Sequence, residues 1–315
     1  MQTYLSSCIG QTPLVPIRCS VSDRVHIWAK LEMFNPTGSV KDRAAQYILT
    51  QLMEQGIIRS DMILIESSSG NFGIALAAFA KMLGLKFWCV IDPNINSINE
   101  QIIRCLAERV IKVDKPDEKG GYLLTRLRTI ETLQKEHDNI CWINQYANPL
   151  NMEAYYCTLG LELCDEIAPI DYAFIGVSSG GTIAGVSRRI KERYPNCKII
   201  AVDAVGSIIF GGLPKKRYLP GIGSSITPSI LQYAFIDEVI HIRENEAASC
   251  CYQLLRENQI LAGGSSGMVL RAIQQYFTCP LETDVNVVTI FPDRGERYID
   301  TVFNNDWCKQ FNVTK

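Results

Sequence analysis

Apolar residues follow two rhythms along this chain. Short runs dense in apolar and β-branched residues, at His26–Met33, Met62–Glu66, Phe87–Ile91, Arg109–Val113, 172–177, Lys198–Asp203, 238–242 and Val285–Phe291, read as strands. Between them, apolar positions return every three or four residues: in 41–55, a small-residue segment from about Ile74, 98–106, 122–135, 152–167, a stretch ending near Arg193, 246–257 and a segment after Gly267. These read as helices. Strand and helix alternate almost throughout, which predicts an α/β architecture of open parallel sheets covered by helices, with ligands at the carboxyl ends of the strands. Gly206–Pro228, rich in Gly, Pro and Ser, breaks the rhythm and is predicted to be a functional loop or a cover between domains.

A chain of 315 residues, 47% hydrophobic, buries a large core and usually divides into two domains. Its 31 basic and 33 acidic side chains leave a formal charge of -2 with no basic block, which argues against a nucleic-acid partner. No apolar run reaches the about 18 residues of a bilayer span, and the first ten residues carry no positive leader ahead of an apolar core. The expectation is a cytoplasmic protein without membrane contact. Twelve cysteines are scattered from Cys8 to Cys308 without a CxxC pair, and most are expected to be reduced core residues. His26, His137 and His241 show no metal-ligand spacing with one another, and no metal is expected.

Four polar loops stand where a strand gives way to a helix. In Asn35-Pro36-Thr37-Gly38-Ser39-Val40-Lys41-Asp42-Arg43, a lysine follows a tight turn at the predicted start of a helix. An amine there can hold a carbonyl cofactor as an imine. Its positive charge opposes the helix dipole, which lowers the cost of the neutral amine that such chemistry needs. A solvated lysine in a first helical turn fits the string equally well. Ser178-Ser179-Gly180-Gly181-Thr182 offers backbone N–H groups, a helix terminus and hydroxyls to a phosphate, although neither GK[ST] nor GxGxxG accompanies it. Ser68–Gly73 offers Asn71 and open backbone donors to a carboxylate, and Gly263–Gly267 places Ser265 and Ser266 ahead of another helix. Each of these three loops taken singly also reads as a helix cap, whereas together they can converge on one crevice.

Seven ordered strings carry a family resemblance: Gly10-Gln11-Thr12-Pro13-Leu14, Asn35–Arg43, Ser68–Gly73, Asn144-Gln145-Tyr146-Ala147-Asn148-Pro149, Ser178–Thr182, Gly263–Gly267 and Pro292-Asp293-Arg294-Gly295-Glu296-Arg297-Tyr298. Over nearly its whole length the chain resembles the cysteine synthase and cystathionine β-synthase family, the fold-type II pyridoxal phosphate enzymes. The resemblance implies pyridoxal 5'-phosphate as cofactor and Lys41 as the lysine that binds it and serves as base at the substrate α carbon. It places Asn71 on the cofactor's 3' oxygen, Ser178, Ser179, Gly180, Gly181 and Thr182 around its phosphate, and Ser265 at the pyridine nitrogen. A neutral serine at that nitrogen stabilises a protonated ring less than a carboxylate would, which favours loss of a β substituent and its replacement. Ser68, Ser69, Asn71 and Gln145 are implied to grip the substrate carboxylate. Also implied are a larger domain of residues 1–36 and 140–315, a smaller mobile domain of 37–139 that closes on carboxylate binding, and a homodimer. The sequence itself offers no dimer-interface pattern.

Three positions depart from the usual family pattern: Ser178 where ordinary cysteine synthases have glycine, Phe72 where threonine is usual, and Tyr146 where phenylalanine is common. These changes fall on the substrate side of the implied pocket. Further strings, Gly120-Gly121-Tyr122-Leu123 with Thr125-Arg126, Trp142 to Asn148, Ala204 with Gly206-Ser207, Leu219–Gly223 and Ala262–Ser265, are similar to a branch of the family that joins O-phospho-L-serine to L-glutamate. That similarity implies Arg126, Tyr146 and Ser178 at the phosphate of O-phospho-L-serine. A guanidinium suits the role because it clamps a phosphoryl leaving group and offsets its charge as the bond to carbon breaks. Read by itself, Arg126 also fits a solvated face, since Arg128 and other charged residues share its helix. The glutamate site stays unassigned. Lys215, Lys216 and Arg217 form a basic loop that would steer an anion and that reads equally as a solvated surface. Sulfide with O-acetylserine or O-phosphoserine is the alternative substrate pair.

Overall fold

The computed structural model describes residues 6–118 and 121–315; residues 1–5, on which the reading of the leader partly rests, and Gly120 of the Gly120–Leu123 string lie outside them. The chain divides into two compact units, Met1–Val40 with Met152–Lys315, and Lys41–Asn151. Strands β1 (Leu14–Pro16) and β2 (Val25–Leu31) open the first unit. The second runs through α1 (Lys41–Glu54), β3 (Ile63–Ser67), α2 (Asn71–Met82), β4 (Lys86–Ile91), α3 (Ser97–Leu106), β5 (Arg109–Lys112), α4 (Leu123–Glu136) and β6 (Ile140–Trp142). Helix α5 (Pro149–Cys157) contains the boundary between the units. Then follow α6 (Leu159–Glu166), β7 (Tyr172–Gly176), α7 (Gly181–Arg193), β8 (Lys198–Ala204), β9 (Glu238–Ile242), α8 (Glu244–Asn258), α9 (Gly264–Tyr276), β10 (Val285–Phe291) and α10 (Asn305–Gln310).

In the first unit, six strands lie in the order β1-β2-β10-β7-β8-β9, parallel except for β1, which runs antiparallel to β2. The register of β10 runs the full length of β2, from Val285 opposite Val25 to Phe291 opposite Leu31. Strand β8 is buried at every position after Lys198, as a parallel strand covered on both faces requires. Phe174, Val202, Ala247, Met268, Ile273 and Phe291 belong to the core on that sheet. The second unit has four parallel strands in the order β5-β4-β3-β6. Every residue of β3 is buried, and Ile65, Trp88, Val90 and Ile130 close that core.

Each sheet reverses its strand order once beside a polar loop. In the second unit β3 has β4 on one side and β6 on the other, and Ser68 follows β3 directly. In the first unit β7 lies between β10 and β8, and Ser178 follows β7 by one residue. Such a reversal leaves a crevice at the carboxyl ends, because the connections leave toward opposite faces of the sheet.

The helix predicted over 152–167 is two helices, parted at Thr158, whose hydroxyl donates to the Ala154 carbonyl at 2.5 Å and whose backbone leaves helical geometry. A side chain that bonds its own backbone in this way competes with the helix ladder. The units change at 40/41 and 151/152, whereas the sequence-based division falls at 36/37 and 139/140. Residues 140–142 stay with the second unit because Ile140–Trp142 pair in parallel with Ile63–Ile65. Half of the cysteines, not most, are buried: Cys89, Cys164, Cys197, Cys250, Cys251 and Cys308, against four exposed and two of intermediate exposure. Among the described residues no helix is long and apolar enough to cross a membrane.

Candidate active site

Lys41 follows a turn that is fastened from several directions within the first unit. The Gly10 N–H donates to Asn35 Oδ1 at 2.9 Å, while Asn35 Nδ2 donates to the carbonyl and Oε2 of Glu32 at 2.9 and 2.8 Å. The Thr12 hydroxyl donates to Glu32 Oε1 at 2.6 Å. Two strings far from each other's helices, Gly10–Leu14 and Asn35–Arg43, therefore share one buried polar cluster. Gly38 N–H closes the turn on the Asn35 carbonyl at 2.8 Å. Ser39 bridges to Asp293, Val40 N–H donates to the Pro292 carbonyl at 2.8 Å, and Arg297 donates to the Thr37 carbonyl. Lys41 is the first residue of α1, partly exposed, with Asp42 and Arg43 buried behind it.

The loop after β7 is shaped for an anion. Gly180 caps α7 with φ +87°, and a Cβ there would lie 2.9 Å from Ile230 Cγ2, so a side chain is excluded by conformation and by space. Helix α7 starts at Gly181, which leaves its first-turn N–H groups unsatisfied by the helix and pointed at whatever lies before it. Ser179 is buried, and Ser178 and Thr182 are partly exposed. The Ser178 hydroxyl donates to the Gly223 carbonyl at 3.2 Å, and Gly223 N–H returns a bond to Val177 at 2.8 Å. The predicted loop 206–228 is thus tied to the candidate phosphate site. Ser265 is the second residue of α9 and buried, and its hydroxyl has no hydrogen-bond partner among the described residues. Phosphate and an aromatic nitrogen would find backbone donors and an uncommitted hydroxyl in this unit. In the basic segment, Lys215 and Lys216 are exposed, while Arg217 Nη2 donates to Ser225 Oγ at 3.1 Å.

In the second unit, the Ser68–Asn71 loop is held by a close approach of backbone. A Cβ on Gly73 would lie 2.7 Å from the Ser68 carbonyl oxygen. Ser68 Oγ accepts from the N–H groups of Gly73 at 2.9 Å and Gly70 at 3.4 Å, which caps α2 and leaves the hydroxyl hydrogen available. Ser69 is placed differently. Its hydroxyl donates to Asp92 Oδ2 at 3.0 Å and accepts from Arg126 Nη1 at 3.0 Å and Asp92 N–H at 3.2 Å. Arg126 Nε lies 3.2 Å from Asp92 Oδ2 as an ion pair, but it is not aimed at that oxygen and makes no hydrogen bond. Asn71 opens α2, partly exposed.

Gln145 is fixed at three points: its N–H donates to Glu66 Oε2 at 3.0 Å, its carbonyl accepts from Asn151 at 2.7 Å, and its Nε2 donates to the Ser67 carbonyl at 3.3 Å. Tyr146 beside it is partly exposed. Burial pushes the Glu66 carboxyl up to about 7, against the pull of the N–H groups of Gln145 and Ser67 and of the Arg126 charge. Lys41, Ser68, Ser69, Asn71, Arg126, Gln145 and Tyr146 all belong to the second unit, and Ser178–Thr182 and Ser265 to the first. Glu66 and Asp92 escaped the sequence reading. Asp92 follows directly on β4, so the rule that ligand groups gather at the carboxyl ends of strands would have found it. Glu66 sits inside an apolar strand, where a lone carboxylate is itself a signal.

Residues 5–293 match a family described as pyridoxal-phosphate dependent enzyme. The chain belongs to that family. Among solved structures, this pyridoxal-phosphate dependent enzyme is similar to an O-acetylserine dependent cystathionine β-synthase from Helicobacter pylori, at 33% identity over 96% of this chain and 98% of that chain, with TM-score 0.88. It is also similar to a hydrogen sulfide-producing enzyme from Fusobacterium nucleatum, at 27% identity over 95% and 100% of the two chains, with TM-score 0.87. A likeness of fold extends to an O-ureido-L-serine synthase at 24% identity, 97% and 96% coverage and TM-score 0.87. The α/β architecture expected from alternating strands and helices, and pyridoxal 5'-phosphate as cofactor, both stand.

Proposed function

We propose that this pyridoxal-phosphate dependent enzyme catalyses a β-replacement, joining O-phospho-L-serine and L-glutamate to give N-(2-amino-2-carboxyethyl)-L-glutamate and phosphate. The product is a precursor of 2,3-diaminopropionate, a building block in siderophore biosynthesis. Arg126 carries the reading: its side chain is 11% exposed beside the Ser68–Asn71 loop, and its Nη2 has no hydrogen bond among the described residues. A largely shielded cation with an open donor edge suits a phosphoryl leaving group, and an acetate leaving group has less need of one.

In this reading Lys41 binds the cofactor, Asn71 meets its ring oxygen, Ser178–Thr182 hold its phosphate and Ser265 meets its nitrogen. Bound pyridoxal phosphate supplies an electron-withdrawing ring that makes the α proton of an attached amino acid removable. Ser68, Asn71 and Gln145 orient the donor through its carboxylate. The Lys41 amine takes the α proton, and the bond from the β carbon to the phosphate oxygen breaks. Arg126, with Tyr146 and Ser178, receives the departing phosphate. The glutamate amine bonds to the β carbon, and Lys41 returns a proton to the α carbon.

The test is a spectrum of the holoenzyme during addition of O-phospho-L-serine and then L-glutamate, with the product mass measured. A lasting spectral change on the first addition, reversed by the second with release of the mass of the joined amino acids, is the expected result. Lys41→Ala should abolish reductive trapping of the cofactor and lower turnover by roughly a hundred- to ten-thousandfold. A second reading, cysteine synthase acting on O-acetylserine or O-phosphoserine with sulfide, draws support from one relative described as O-acetylserine dependent and another as hydrogen sulfide-producing. Preference for acetylserine and sulfide over phosphoserine and glutamate would replace the first reading with this one.

A further inference from the structure

We infer that the Ser69 hydroxyl positions Arg126 and is not a ligand of the amino-acid carboxylate, and that Asp92 fixes the two side chains as one unit that reads the donor's leaving group. The inference rests on the reading of O-phospho-L-serine as donor. A serine hydroxyl has one hydrogen to give and two lone pairs to receive, and a carboxylate can only accept. Asp92 Oδ2 at 3.0 Å therefore takes the Ser69 hydrogen, and the two N–H donors, from Arg126 and from the Asp92 backbone, fill both lone pairs. The Ser69 hydroxyl has nothing left for a substrate carboxylate.

Asp92 is itself held, because its Oδ1 accepts from the Asn94 N–H at 2.8 Å. Its side chain is 8% exposed, so its charge faces Arg126 away from bulk solvent, where an ion pair is screened less. The neighbouring Ser68 is the opposite case: among the described residues its hydroxyl only accepts, from the Gly70 and Gly73 N–H groups, and its hydrogen remains for a ligand. Two adjacent serines thus divide the work, Ser68 facing the carboxylate and Ser69 setting the guanidinium.

The two roles for Ser69 separate in a ratio. O-phospho-L-serine and O-acetyl-L-serine share the same carboxylate, so loss of a carboxylate ligand cancels when their kcat/KM values are divided, and so does any loss of folded enzyme. Loss of an arginine positioner does not cancel. With glutamate held constant, Ser69→Ala and Asp92→Asn should each lower the phosphoserine to acetylserine ratio of the holoenzyme by roughly ten- to a hundredfold. In an Arg126→Gln background, Ser69→Ala should leave the ratio where Arg126→Gln put it. A wild-type ratio that favours phosphoserine and is unmoved by Ser69→Ala overturns the inference while the reading of the donor stands. A wild-type ratio that favours acetylserine overturns the reading, and the inference with it.

Discussion

Glu66 shows how one buried carboxyl ties the backbone of Gln145 to a titrating group. The folded chain holds its proton up to about 7, against 4.5 for the free side chain, so between those values the folded state binds more protons than the unfolded one. Stability from this group is greatest below about pH 4.5 and falls by about 3 kcal/mol as pH rises through 7. Glu66→Gln should remove that slope, seen as a flatter dependence of denaturation midpoint on pH. It should also cost about 1–3 kcal/mol at low pH, because the amide nitrogen would face one of the two N–H donors that the carboxyl oxygens now accept from. The sequence reading singled out Lys41, Asn71 and the Ser178–Thr182 loop as candidates from residue type and placement. It could not see which of two adjacent serines keeps its hydrogen, since that depends on Asp92 and Arg126, distant in sequence and brought together by the sheet.

Helix α2 carries the same lesson at the next scale. Its apolar, small-residue character was plain, yet its start was read near Ile74, while the structure begins it at Asn71. Nothing in hydrophobic spacing marks those first residues. Their helical state comes from the Ser68 cap and from the room that Gly73 leaves. Gly73→Ala would drive a methyl to 2.7 Å from the Ser68 carbonyl and 3.1 Å from Cys89 Sγ, and should lower stability by about 1–3 kcal/mol in chemical denaturation. The long strands were legible because both faces are buried. Strands β1 and β6, three residues each, are too short to show any period and owe their state to partners in β2 and β3.

Over the whole molecule, alternation fixed the class of architecture, and the even charge balance argued against a polyanionic partner. Burial of individual side chains was read less well, as the cysteines show. Cys8, Cys105, Cys157 and Cys279 are exposed, whereas burial pushes the Cys89, Cys197 and Cys250 thiols up to about 12. A thiol reagent at neutral pH should label those four quickly and leave the six buried cysteines intact until denaturant is added, countable by intact mass. The turn ahead of Lys41 has one last implication, for how the enzyme is made. Ser39, Val40 and Thr37 are fastened by Asp293, Pro292 and Arg297, residues that follow the final strand of the sheet. On the ribosome, the segment ahead of Lys41 emerges well before the residues that fasten it, so under the role proposed for Lys41 cofactor loading must await synthesis through Arg297. Nascent chains stalled before Pro292 should emerge colourless.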